Sequence, residues 1–132
     1  MTPIRMSKIE SAMRVALEFK DAFNQQDVPG MMALISDDCL FENAGPVPDS
    51  AVHSGKNAIA QYWRSFFEGF PQANIEIEDI FSLAERCIMR WKLSWMDSAG
   101  EDKCIRGVDL FLVREGTICE QISYVKGEMP SE

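Results

Sequence analysis

The chain of 132 residues has the length of a single domain with one hydrophobic core, which excludes a two-domain enzyme. Its 21 acidic and 13 basic residues give a net charge of -8, so we expect nucleic acid and anionic membranes to repel it. The sequence has no run of about 18 apolar residues and no signal-peptide pattern, which predicts a cytoplasmic protein that enters no membrane.

Three segments in the first half of the chain have the periodicity of helices. Ser7 and Glu10 stand at the spacing of a capping box, and apolar residues follow them at steps of three and four. Asp27 as N-cap and Pro29 in the first turn predict a short second helix. A wide apolar stripe predicts a third helix over residues 57–70.

The segment between the second and third helices is expected to hold one short strand. We expect the second helix to include Ile35 in its apolar face and to end at Asp37-Asp38, so that residues 39–43 form the strand. Two prolines and a glycine make regular structure unfavourable over residues 44–50. This segment is therefore predicted to be a loop.

The chain after Pro71 alternates apolar and polar residues with period two, as half-buried antiparallel strands do. Turn-forming segments divide it into four predicted strands, at 74–81, 86–95, 103–114 and 117–126. Three helices followed by a meander indicate the α+β class. The four cysteines are widely spaced within predicted strands, which indicates reduced core thiols rather than a metal site.

The predicted strand over residues 103–114 carries an acid on an apolar face. Its odd positions share one face, on which Asp109 is the only carboxylate. A carboxyl group in an apolar setting can donate a hydrogen bond to a carbonyl oxygen or move a proton. The structural alternative is an ion pair of Asp109 with Arg90 or Arg106.

The last hairpin decides which residues face Asp109. If Glu115-Gly116 is a two-residue loop, Ile122 lies opposite Asp109 and Tyr124 becomes its diagonal neighbour. A three-residue loop would place Gln121 opposite Asp109 and turn Tyr124 away. We favour the first register because it gathers apolar residues on the inner face. Tyr124 is then either a core tyrosine or a second catalytic residue.

The other face of the same strand is also apolar, at Cys104, Val108, Leu110 and Leu112. A strand with two apolar faces is covered on both sides. One face can line a pocket, whereas the other must meet helices or another subunit. We therefore predict a homodimer formed through the sheet.

The order of elements and three motifs carry a resemblance to a known family. The motifs are Asp27-x-x-Gly30-x-x-x-Leu34-x-x-Asp37-Asp38, the segment 54–59, and the segment 107–118 with its Gly-Val-Asp-Leu-Phe start. Over almost its whole length the chain resembles the nuclear transport factor 2-like superfamily, with its SnoaL-like polyketide cyclases and ketosteroid isomerases. The resemblance implies a single domain over residues 1–132, in which a curved, mostly antiparallel sheet forms a cone around three helices.

Comparison with the catalytic residues of individual enzymes of this superfamily argues against some of their reactions for this chain. Asn43 stands where ketosteroid isomerase has its catalytic base, and an amide cannot abstract a proton. Phe19 and Trp63 replace two tyrosines of that enzyme, whereas its buried acid is retained as Asp109. Limonene-type epoxide hydrolases need a carboxylate two residues after an arginine on the middle strand. In this chain that arginine would be Arg90, and the position two residues later is Lys92. The arrangement that survives resembles SnoaL-like polyketide cyclases, in which an aspartate supplies acid–base catalysis.

The resemblance thus implies a cyclase or isomerase without metal or organic cofactor, acting on a small hydrophobic carbonyl compound such as a polyketide or terpenoid. The alternative is a non-catalytic ligand-binding or dimerisation module of the same fold. His53, in a polar segment, is interpreted as a solvated loop residue rather than as a general base. The expected catalytic residues are Asp109 and Tyr124, and the expected ligand-binding residues are Phe19, Phe41, Asn43, Trp63, Phe67 and Trp91.

Overall fold

The computed structural model describes residues 3–43 and 52–127, with side chains of the first helix described from Ala12 onwards. In these residues the elements are, in chain order, α1 (Pro3–Asn24), α2 (Val28–Met32), β1 (Ile35–Glu42), β2 (Val52–Ser54), α3 (Lys56–Gly69), β3 (Asn74–Leu83), β4 (Arg86–Met96), β5 (Asp102–Arg114) and β6 (Thr117–Lys126). The strands form one sheet in the order β2-β1-β6-β5-β4-β3. Only the β1–β6 pair is parallel in the described sheet, so the predicted α+β fold with a mostly antiparallel sheet is confirmed.

The helices differ from the prediction mainly at their ends. Helix α1 begins at Pro3, so Ser7 lies inside the helix and the predicted capping box is wrong. The N-cap of α2 is correct, since the Asp27 carboxylate accepts a hydrogen bond from the Gly30 amide at 3.0 Å. Among the described residues, no helix has both the length and the apolar character needed to cross a membrane.

The first strand begins earlier than predicted, because Ile35 pairs with Ile118 of β6 instead of continuing helix α2. Asp37-Asp38 lies within β1, where the register shifts before Leu40. Strand β2 pairs antiparallel with β1 and was not predicted. The predicted loop at 44–50 lies outside the described residues.

The four long strands and the third helix agree with their predicted bounds to within two residues at each end. Helices α1 and α3 cover the inner face of the sheet, where the core lies. The Asn24 side chain at the end of α1 fixes this packing, because it bonds both the carbonyl and the amide of Ile75 in β3, at 2.9 and 2.7 Å. The inner face of the sheet and helix α1 thus form one rigid unit around the buried residues.

The cysteines are free thiols, as expected, but they are not all in the core. Cys39 and Cys87 are buried, Cys119 is half-buried and Cys104 is exposed on β5. Burial raises the pKa of the Cys39 thiol to about 12. The expectation of core thiols is therefore wrong for Cys104.

The outer face of the sheet is apolar at its centre and exposed in this chain. Val108 faces Tyr124, and Leu110 faces Ile122, across the β5–β6 pair. Tyr124 is 58% exposed, and the other three are half-buried. These four apolar residues form the surface on which the predicted homodimer depends.

Candidate active site

The buried acid of the inner face is Asp109, only 1% exposed. Its Oδ2 atom accepts hydrogen bonds from Lys20 Nζ at 2.7 Å and from Gln121 Nε2 at 3.0 Å. Its Oδ1 atom accepts one from Ser123 Oγ at 2.5 Å. These donors come from α1 and β6, so the position of the carboxylate is fixed from both sides.

The partner of Asp109 is a lysine that is itself buried. Lys20 is 3% exposed, and its ammonium forms the only ion pair of Asp109 in the described part of the chain. Four aromatic rings surround this ammonium, with centroids 5.7 to 5.9 Å from Nζ: Phe19, Phe23, Trp91 and Phe111. The ring faces supply part of the attraction that water would otherwise provide to the cation.

The predicted alternative, an ion pair with Arg90 or Arg106, is wrong. Arg90 lies 3.8 Å from Asp79, and Arg106 lies 2.9 Å from Glu78, both in exposed pairs. Even-numbered residues of β5 point to the outer face, so Arg106 cannot reach an acid at position 109. Asp109 does form an ion pair, but its partner is Lys20 of helix α1 and not an arginine of the sheet.

The sequence analysis did not identify Lys20, although its position relative to the apolar residues of α1 indicates that it is buried. Ala12 and Ala16 precede it at steps of four and are both buried, as is Phe23 three residues later. Lysine thus occupies a position on the buried stripe of α1. A charged residue in phase with a core stripe indicates a buried partner, and Asp109 was the acid available to meet it.

The register of the last hairpin corrects the prediction for Tyr124. The turn does have two residues, because Arg114 faces Thr117, but the register shifts by one between Val113 and Leu112. Ser123 therefore lies opposite Asp109, where Ile122 was predicted. Tyr124 points to the outer face, away from Asp109, and we no longer assign it a catalytic role.

A small cavity adjoins the Lys20–Asp109 pair. Its volume is about 30 Å³, enough for one or two water molecules. Its walls are mainly aromatic and aliphatic, and only Lys20 and Asp109 carry a formal charge among the described lining residues: Lys20, Phe23, Phe41, Asn43, Tyr62, Trp63, Phe66, Ile75, Trp91, Leu93, Asp109, Gln121 and Ser123. A larger ligand can enter only when some of these side chains move.

Four of the six predicted ligand-binding residues line this cavity, namely Phe41, Asn43, Trp63 and Trp91. The other two predictions are wrong for the described cavity. Phe19 is fully buried beneath the ammonium, and Phe67 packs behind the wall against Phe23, with ring centroids 5.0 Å apart. The periodicity of the sequence correctly places both residues on the inner side of their helices. It does not distinguish residues that line the cavity from residues that pack behind the cavity wall.

Tyr62 and Phe66 of α3 form the thinnest part of the wall. Both line the cavity on one side and a shallow open groove on the other. Burial raises the pKa of the Tyr62 phenol, and a side-chain hydrogen bond with Asn43 lowers it by less. These two half-buried side chains therefore separate the cavity from the groove.

His53 belongs to this aromatic wall and not to a solvated loop. It lies in β2 opposite Phe41, with ring centroids 5.9 Å apart, and 4.8 Å from the Tyr62 ring. Its Nε2 atom is buried, and the described residues offer it no hydrogen-bond partner. The interpretation of His53 as a solvated loop residue is therefore wrong.

Two indole groups of the cavity wall are also buried without an acceptor. The Nε1 atoms of Trp63 and Trp91 have no hydrogen-bond partner among the described residues. Trp91 packs closely against Gly107, where an added Cβ would lie 2.4 Å from its Cζ2 atom. Within the described residues, no cluster of three histidine, cysteine or acidic side chains could hold a metal ion.

The family of the chain follows from a sequence comparison over most of its length. Residues 16–121 match the model of the SnoaL-like domain. The chain belongs to the SnoaL-like family. A search among curated proteins gives no match.

Solved structures with the same fold include one in complex with a steroid derivative. A nuclear transport factor 2-like protein of unknown function from Mesorhizobium loti is 32% identical, with a TM-score of 0.76 over 91% of this chain and 94% of that one. A proposed SnoaL-like polyketide cyclase from Jannaschia sp. CCS1 is 12% identical, with a TM-score of 0.80 over 96% and 90% of the chains. A Mycobacterium tuberculosis protein in complex with estradiol-17beta-hemisuccinate is 21% identical, with a TM-score of 0.75 over 86% and 92% of the chains.

Proposed function

We propose that this SnoaL-like protein is a cofactor-independent acid–base enzyme, a cyclase or isomerase, whose substrate is a small hydrophobic carbonyl compound of polyketide or terpenoid type. The observation that carries the proposal is the buried Asp109 carboxylate, held by three hydrogen bonds at the edge of a mainly aromatic and aliphatic cavity. A carboxylate fixed in this way can take a proton from a substrate and return it at another atom.

The walls of the cavity suit the substrate class. Phe41 and Trp63 stack with ring planes 28° apart and centroids at 5.3 Å, and Trp91 of β4 also lines the cavity. Flat aromatic surfaces hold planar hydrophobic rings well and exclude water from the reacting atoms. The steroid ester bound by the Mycobacterium tuberculosis neighbour is a hydrophobic ligand of this kind, which supports the proposal by analogy of fold.

A second candidate function is a non-catalytic ligand-binding or dimerisation module. The observation in its favour is the size of the cavity, about 30 Å³, with Tyr62, Trp63 and Phe66 in its wall. An enzyme acting on a bicyclic substrate must open this wall, whereas a dimerisation module has no need to. The enzyme would bind a carbonyl compound and alter it chemically, whereas the module would leave any bound compound unaltered.

Exchange of α-protons tests the proposal without knowledge of the natural substrate. The probe is 2-tetralone, a hydrophobic and enolisable ketone, incubated in D₂O and followed by NMR. We expect the wild-type protein to accelerate deuterium uptake over buffer, and Asp109→Asn to lose about 100-fold or more of this acceleration, as expected for removal of a general base. The matched control is Asp79→Asn, since Asp79 lies exposed on the outer face.

The possible results of this assay distinguish the enzyme from the module and from a protein with neither function. Exchange that is abolished in an Asp109→Asn protein shown by circular dichroism to be folded at the assay temperature, and retained in Asp79→Asn, supports the enzyme. Binding of 2-tetralone without any exchange supports the module. Neither binding nor exchange, with 2-tetralone and with a panel of larger planar ketones, would make both ligand-based functions wrong.

We also propose that the protein is a cytoplasmic homodimer joined through the outer face of β5 and β6. The apolar pairs Val108–Tyr124 and Leu110–Ile122 support this proposal, because they are adjacent on the outer face of the sheet, and in the described residues α1 and α3 pack on the inner face. Dimer formation would remove this patch from water.

A further inference from the structure

Lys20 has hydrogen-bonding capacity that the described residues leave unused. An ammonium group has three N–H donors, and one of them goes to Asp109. Four aromatic rings have centroids 5.7 to 5.9 Å from Nζ, and they attract the charge but offer no oxygen. Lys20 also lines the cavity, so a bound ligand can reach these free donors.

Two tryptophans that line the cavity also have unused hydrogen-bond donors in the described structure. The indole N–H groups of Trp63 and Trp91 are buried without an acceptor in the described residues, and each residue is at least 95% buried. Asp109, by contrast, already accepts three hydrogen bonds. A ligand that satisfies this site therefore brings an oxygen acceptor, and buried donors without acceptors would favour its binding.

We propose that Lys20 is the residue that binds the ligand oxygen on which negative charge develops, and that the ligands of this site are carbonyl compounds held as enolates. This inference rests on the proposed function and adds the role of a second residue and the charge state of the ligand. In the step concerned, an Asp109 oxygen takes the proton from the α-carbon. The C–H bond breaks, an O–H bond forms on Asp109, and the electron pair moves to the carbonyl oxygen, which becomes an enolate bound to the Lys20 ammonium.

The net charge of the cavity is the same before and after this step. An ammonium–carboxylate pair becomes an ammonium–enolate pair beside a neutral carboxylic acid. Of the described lining residues, only Lys20 and Asp109 are charged, so no further ion has to be compensated. Conservation of charge is important here because transfer of an unpaired charge into an apolar cavity is strongly unfavourable.

Two ligands that differ by one acidic group test the proposal. The probes are 4-hydroxycoumarin, whose enolate can bind the Lys20 ammonium while Asp109 takes up a proton from the enol or from solvent, and coumarin, which has the same rings without the enol. Affinities are measured by isothermal titration calorimetry. We expect the wild-type protein to bind 4-hydroxycoumarin about tenfold or more tightly than coumarin, as one hydrogen bond to a charged group provides.

Three variants assign this preference to Lys20. The double variant Lys20→Met/Asp109→Asn removes both charges, so neither is left unpaired, and its affinity ratio should fall to about one. Asp109→Asn alone retains the ammonium and should retain a preference for 4-hydroxycoumarin. The control Lys56→Met/Asp37→Asn removes a Lys–Asp pair of the surface, 3.5 Å apart, and should leave the ratio unchanged.

The results that overturn the proposal are distinct from those that overturn the proposed function. Equal wild-type affinities for the two probes, or a preference that survives in the double variant, exclude Lys20 as the oxygen-binding residue while the ligand cavity stands. Loss of the preference in a folded Asp109→Asn assigns it to the acid and also overturns the proposal. If the wild-type protein binds neither probe and shows no exchange of 2-tetralone, both proposals are wrong.

Discussion

Replacing Asp109 by asparagine should destabilise the protein strongly, because it leaves a buried ammonium without a counter-ion. Lys20 is 3% exposed and Asp109 1%, so bulk solvent does not reach the ammonium in the folded state and cannot supply the charge of the lost carboxylate. The amide oxygen of asparagine can still accept one hydrogen bond, but it carries no charge. Breaking a buried ion pair by removing one partner typically costs about 3–5 kcal/mol.

For a domain of this size, a loss of about 3–5 kcal/mol corresponds to a fall in Tm of roughly 10–20 °C. The double variant Lys20→Met/Asp109→Asn should recover most of this loss, since replacement of a whole buried pair by apolar or neutral groups is often close to neutral. Lys20→Met alone should be destabilised about as much as Asp109→Asn, because it leaves the carboxylate unpaired. The two effects are therefore strongly non-additive.

Thermal melts of the four proteins, followed by circular dichroism at one protein concentration and pH 7, measure this cycle. A fixed concentration is needed because a dimer adds a concentration-dependent term to the apparent stability. An Asp109→Asn midpoint within about 2 °C of wild type would contradict the coupling inferred from the short Lys20–Asp109 contact. A double variant as unstable as the sum of the single variants would contradict it equally.

Two further predictions concern packing and assembly. Gly107→Ala should destabilise the fold by about 1–3 kcal/mol, since the new Cβ would lie 2.4 Å from the Trp91 ring and 2.7 Å from the Tyr124 carbonyl oxygen; a denaturant midpoint equal to wild type would contradict this. Light scattering should show a dimer at micromolar concentration that Leu110→Arg converts to a monomer, and a monomeric wild type would refute the proposed sheet interface.

The elements that sequence analysis located well are those whose pattern repeats several times. Strand β4 buries four alternate residues, Cys87, Met89, Trp91 and Leu93, so period two is visible without knowledge of its neighbours. Strand β2 has only three residues and exists because β1 lies beside it. Ile35 shows the same limitation, since pairing with a residue more than 80 positions away decides between helix and strand.

The candidate site was predicted in part, for a related reason. Asp109 stood out because it interrupts an apolar face of a single strand, and that signal is local. Lys20 interrupts an apolar stripe of α1 in the same way, but lysine is common on helices and its long side chain usually reaches water. Only the tertiary structure shows that the two residues are in contact, with Lys20 Nζ 2.7 Å from Asp109 Oδ2.

The error in the last hairpin has a physical cause that applies beyond this protein. Within β6 a single extra residue, between Ile118 and Glu120, reverses the face of every residue that follows. Apolar burial favoured Ile122 and Tyr124 on the inner face, which is worth about 1.5–3 kcal/mol for each large side chain. A buried carboxylate without enough donors costs several kcal/mol, and the observed register supplies it with Gln121 and Ser123. Because these donors offset a cost of the same size as the lost apolar burial, an acid on an apolar strand face is a reason to expect polar donors on the facing strand even where apolar residues are available.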